Sequence, residues 1–136
     1  IPENKLFEAP NTQSNSVGNL ILHLNGNVRQ WLLSGLLGKE FKRNRAQEFD
    51  QSTGTKAELT SLLSELEKDI KVGLSHLRED SLIQEISIQG ISGTGFAVAI
   101  HVIEHFSYHT GQIALLTKLW CNEDLGFYSE HPHLND

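Results

Sequence analysis

The stretch HVIEHFSYHTGQ, residues 101–112, places His101, His105 and His109 four residues apart in a chain that has seven histidines. On a helix, residues i and i+4 stack one turn apart on the same face. His105 and His109 can therefore aim imidazole nitrogens at one point, the spacing of helical zinc motifs, which take a further ligand from elsewhere. His23 is the histidine of the other strongly apolar helical stretch, set between Leu22 and Leu24, and Asn19, Asn27 and Gln30 share its face. Gln112 extends the face of His101, His105 and His109. Burying an unpaired polar group costs about 1–3 kcal/mol on mutational scales. Two polar stripes inside apolar helices are thus expected to face one shared cavity. The residues alone leave two readings open: a divalent-metal site, or core histidines satisfied by hydrogen bonds.

The neighbours carry the same choice. His101, one turn behind the pair, reads as a residue beside the site or as packing. Tyr108 is placed to stabilise an anion or to pack with its hydroxyl bonded. Glu104 points about 100° away from His105 and reads as a carboxylate behind the site or at an interface. Arg43 and Arg45, in RNR, are able to grip a carboxylate or phosphate, against the alternative of a solvated loop. His76, His131 and His133 read as exposed, and Trp31 and Trp120 as core anchors. No nucleophile elbow, phosphate loop or dinucleotide fingerprint occurs.

These residues need helices to hold them. Leu20, Ile21, Leu24, Val28, Trp31 and Leu32 recur at three- and four-residue spacing behind the capping residue Ser16, which predicts a helix over 16–37 that ends at Gly38. Thr55 and Glu58 match a capping box, and the leucines that follow predict a helix over 55–79. The segment 95–121 predicts the last long helix, apolar nearly all round. Pro2 suits a first helical turn. Residues 38–54 read as a long polar connection. Ile86 and Ile88 alternate with polar residues, the sign of a short extended piece, and SGTG at 92–95 reads as a turn and cap. The expectation is an all-α bundle in a single domain, 1–136.

Composition limits the function. The 136 residues suit one domain with its own core. A net charge of −6, with no basic block beyond KRNR, argues against nucleic acid or an anionic membrane as partner. No apolar run approaches the roughly 20 residues of a membrane span. The single cysteine, Cys121, has no internal partner, so a reducing, cytoplasmic setting is expected.

The stretches at 14–36, 43–49 (RNRAQEF), 55–59 (TKAEL) and above all 101–120, where the histidine pair runs directly into TGQI, resemble the DinB-like (DinB/YfiT-like) metalloenzyme family, in a subgroup of unknown function. The resemblance covers most of the chain. It implies a four-helix bundle with up-down-down-up connectivity, whose first helix is expected upstream of Ile1. It implies a divalent metal, zinc or nickel, held by three histidines that fall on His23, His105 and His109. Such a site leaves a coordination position open, as catalytic zinc sites do. Relatives include transferases that use low-molecular-weight thiols such as bacillithiol and mycothiol, which makes thiol transfer to a small-molecule substrate the first expectation. A metal-dependent hydrolase and a non-catalytic, metal-stabilised binding or stress-response module are the alternatives. Asn27, Gln30, Tyr108 and Gln112 are the expected pocket residues. An apolar face left uncovered by the upstream helix would favour a homodimer.

Overall fold

The structure, a computed structural model, describes residues 1–127, 129 and 130; His131 and His133, expected to be exposed, lie outside the described residues. A single 3-10 turn at Glu3–Lys5, entered from Pro2, precedes five helices and one hairpin. These are α1 (Val17–Val28), continued without a break by a π-helical segment Arg29–Leu36, then α2 (Arg45–Asp50), α3 (Lys56–Leu74), α4 (Glu79–Ile83), β1 (Glu85–Ile88), β2 (Ile91–Thr94) and α5 (Gly95–Cys121). No helix among the described residues is long and apolar enough to cross a membrane.

The first long helix starts where its cap predicts. The Ser16 hydroxyl accepts the Asn19 N–H, and the helix closes at Gly38 with φ of 69°. Its second half widens to π geometry, in which the Leu37 N–H reaches back five residues to the Leu32 carbonyl. The α3 capping box forms as expected from Thr55 and Glu58, but α3 ends at Leu74 rather than near 79. The Ser75 hydroxyl and the His76 ring both turn to the Val72 carbonyl, and such local bonds compete with the helical ladder. A short separate helix, α4, follows.

Two elements go beyond the three expected helices, and the second of them, a hairpin, departs from the all-α expectation. The polar connection at 38–54 contains α2, capped by Asn44, whose side chain accepts the Gln47 N–H. The extended piece is one strand of an antiparallel hairpin that pairs Glu85–Ile88 with Ile91–Thr94. The turn falls at Gln89 and Gly90, with φ of 54° and 78°, and not at 92–95. Positive φ at both central positions is the two-residue hairpin geometry that matches strand twist. Thr94 still caps α5 by accepting the Ala97 N–H. The fold is thus mostly helical with one small sheet.

The core gathers Val28, Trp31, Leu32, Leu33 and Leu36 from the first helix, Leu66 from α3, Ile88 from β1, and Val98 and Val102 from α5. The first helix lies between α3 and α5. Trp31 packs on His101 while His23 meets His105 and His109, so the first helix and α5 run antiparallel. That alignment lays the two polar stripes against each other.

Candidate metal centre

His23, His105 and His109 converge. One ligand nitrogen from each lies within 4.8 Å of the others, and the Nε2 atoms of His23 and His105 are 2.9 Å apart. Two zinc–nitrogen bonds of 2.0–2.1 Å at a tetrahedral angle set their nitrogens about 3.3 Å apart. The observed separations, 2.9 Å for His23 and His105 and no more than 4.8 Å for any pair, bracket that spacing, so the donor set suits a divalent ion. His23 is buried, whereas His105 and His109 are half-buried on the solvent side.

Burial is the main cause that holds His23 below its ordinary value of 6.5. Burial, followed by the crowding of His109, His23, His101 and Arg43, pushes His105 down to about 4. Near neutral pH both rings are uncharged, as ligands must be.

Each flanking ring nitrogen on two of the three histidines is occupied. His109 Nδ1 lies 2.7 Å from Gln112 Oε1, an oxygen that only accepts, so His109 donates from Nδ1 and frees Nε2. His23 Nδ1 lies 3.0 Å from Glu48 Oε2. Glu48, on α2, is 8% exposed. Its carboxylate is clamped by Arg43, with Nε donating to Oε1 at 2.6 Å and Nη2 to Oε2 at 2.7 Å. The Asn19 amide donates to the Glu48 and Gln51 carbonyls at 3.0 and 2.8 Å, which anchors the end of α2 to α1. Gly26 makes room: a Cβ there would collide with the Glu48 carboxylate.

The other expected residues divide. Gln112 touches His109 directly. Gln30 meets the Arg43 guanidinium at 3.4 Å instead of facing the histidines. Asn27 is buried, and its Oδ1 has no hydrogen-bond partner among the described residues. Tyr108 is 64% exposed, with its ring 5.0 Å from that of His109, at the rim of the site. His101 lies between Trp31 and His105, at centroid distances of 4.4 and 5.6 Å. Glu104 and His76 are exposed, as is Arg45, which stacks over Phe49 at 5.0 Å. Trp31 is a core residue, and Trp120 is half-buried under Lys5. A cleft of about 250 Å³ opens beside Gln112, between α5 and the residues that lead into α1.

Glu48 is the functional residue that the sequence does not single out; Arg43 does grip a carboxylate, and that carboxylate belongs to Glu48. One signal was present: Gly26, one turn beyond His23 on an otherwise good helix, marks a close approach on that face.

The fold resembles that of a DinB-like protein from Bacillus cereus ATCC 10987, known from a crystal structure, with a TM-score of 0.72 at 15% sequence identity. The match covers 88% of this chain and 77% of that one, and at this identity the likeness is one of fold. No curated protein matches the chain. Residues 1–130 match the family described as "Protein of unknown function (DUF1572)", a DinB-like family, and the chain belongs to it.

Proposed function

We propose that the protein is a divalent-metal-dependent enzyme that transfers a low-molecular-weight thiol to a small electrophilic substrate. The observation that carries this reading is the convergence of three imidazoles from α1 and α5 at a half-buried point. Zinc or nickel suits such a nitrogen set. A divalent ion held there would supply Lewis acidity, lowering the pKa of a thiol that reaches it.

The chain's own residues account for the rest. His23 closes the buried side, so a ligand must enter from the side of His105 and His109. The cleft beside Gln112 is the adjacent space for a substrate, and the Tyr108 hydroxyl at the rim is available to an anionic group. In the transfer, the thiol loses its S–H proton to solvent, its sulfur forms the new bond to the electrophilic carbon, and the leaving group departs from that carbon.

The test is turnover of 1-chloro-2,4-dinitrobenzene with bacillithiol, mycothiol and glutathione, before and after chelation. Turnover that chelation abolishes and zinc restores supports the enzyme. Thermal destabilisation on chelation with no turnover of any thiol supports instead a non-catalytic, metal-stabilised module.

One face of α5 is apolar and exposed, carried by Phe96, Ile100, Ile103 and Phe106, with Phe96 and Ile103 each at least 60% exposed. We propose that a helix preceding Ile1 covers it and completes an up-down-down-up four-helix bundle. The match covers 77% of the similar solved chain, so that fold holds further chain, and a helix before Ile1 is the occupant we propose over a second copy. Sedimentation of the protein with and without upstream residues decides it: a monomer only when they are present supports the helix, and a dimer in both forms supports the second copy.

A further inference from the structure

We propose that Glu48, clamped by Arg43, is the positioning residue of the three-histidine site, fixing which nitrogen of His23 faces His105 and His109. The inference rests on the metal-site reading above and concerns how this chain prepares its most buried ligand.

Two arrangements compete at His23 Nδ1, because two groups approach it. Glu48 Oε2 lies at 3.0 Å and Arg43 Nη2 at 3.1 Å. If Nδ1 carried no proton, it would accept from Arg43, and its lone pair would face the carboxylate oxygen. Nε2 would then carry the hydrogen and could not be a ligand. If Nδ1 carries the proton, it donates to Glu48, and the Nε2 lone pair points at the partner histidines. The second arrangement wins on the partners already committed. Arg43 spends Nε and one Nη2 hydrogen on the two oxygens of Glu48 in a fork at 2.6 and 2.7 Å, the strong bidentate form, and the other Nη2 hydrogen has the His23 backbone carbonyl as acceptor at 3.4 Å. A carboxylate has about four acceptor sites, so Oε2 takes a hydrogen from both Nη2 and Nδ1. The short distance from Nη2 to Nδ1 is then that of two donors sharing one acceptor.

The carboxylate is itself held from several sides. Asn19 fixes its backbone, Gly26 leaves the space its side chain fills, and the side chain of Arg43 is only 5% exposed. The Phe49 ring, 5.0 Å from His23, limits the swing of the imidazole. A carboxylate behind a ligating histidine fixes its tautomer and raises its basicity, and losing one typically weakens metal binding about 10–100-fold.

The experiment reads the tautomer first. Ring-nitrogen NMR of ¹⁵N-histidine-labelled, chelator-stripped wild type is expected to show His23 protonated at Nδ1 with Nε2 bare. A ring protonated at Nε2 overturns the proposal. The second measurement is zinc affinity in Glu48→Gln and in Arg43→Gln/Glu48→Gln, the double change leaving no buried charge unpaired. Both are expected to bind zinc about 10–100-fold more weakly, with His23 losing its Nδ1–H signature. Wild-type affinity in a double variant that melts normally also overturns it. If wild type takes up no zinc, the metal reading fails by itself, and the tautomer of the metal-free protein still decides the role of Glu48.

Discussion

His23 and His105, separated by 82 residues in sequence, bring their Nε2 atoms to 2.9 Å across the interface of α1 and α5. With His109 alongside, each ring supplies one nitrogen to the same small volume. Replacing either His23 or His105 by alanine removes one of three donors and leaves two, too few for a stable site of this kind. Zinc titration followed by calorimetry is expected to change from one ion per chain to none. The metal-free fold of His105→Ala should persist, because His105 is half-buried and its loss leaves no large cavity.

Gly26→Ala inverts the usual rule for helices. Alanine is favoured over glycine in a helix interior by about 1 kcal/mol. Here its Cβ would strike the Glu48 carboxylate and lie 3.1 Å from Arg43 Nε. Net destabilisation of roughly 1–3 kcal/mol is expected, the usual cost of overpacking. Urea denaturation of the metal-free protein measures it, and a gain in stability would show that Glu48 does not need this space.

Asn19→Ala releases the carbonyls at the end of α2. Its amide now serves Glu48 and Gln51, and leaving buried carbonyls unpaired costs about 1–3 kcal/mol. A six-residue helix has little stability of its own, so α2 is the element expected to loosen. Trypsin should cut after Arg45 faster in the variant than in wild type, while sites in α3 keep their protection.

The fold of the metal-free protein should be acid-sensitive through its histidines. His23 lies below 6.5 and His105 at about 4, in both cases mainly through burial. Between those values the unfolded chain binds protons that the folded chain excludes, so stability rises with pH across the window. Melting temperature is expected to fall as pH drops from about 7 to about 4.5, and to fall less in His105→Gln. An unchanged slope in that variant would remove His105 from the explanation.

The sequence shows the long helices and the histidine faces plainly, because both are local. The four-residue spacing of His105 and His109, the Ser16 cap and the Thr55–Glu58 capping box all depend on neighbours within one turn. The hairpin is less legible: its turn rests on Gln89 taking positive φ beside Gly90, and glutamine is no strong turn signal. Glu48 is hidden for a different reason. It lies in a polar connection 25 residues from His23, and only the packing of α2 on α1 turns a solvent-type residue into a buried partner. The early end of α3 depends on which bond Ser75 and His76 choose, a contest that periodicity does not record.

The most direct test of the central claim is native mass spectrometry of the purified protein after incubation with zinc, run beside His23→Ala. One zinc ion per wild-type chain and none bound to the variant is the expected result. Wild type that carries no stoichiometric metal, or a His23→Ala protein that keeps its ion, would contradict the three-histidine site.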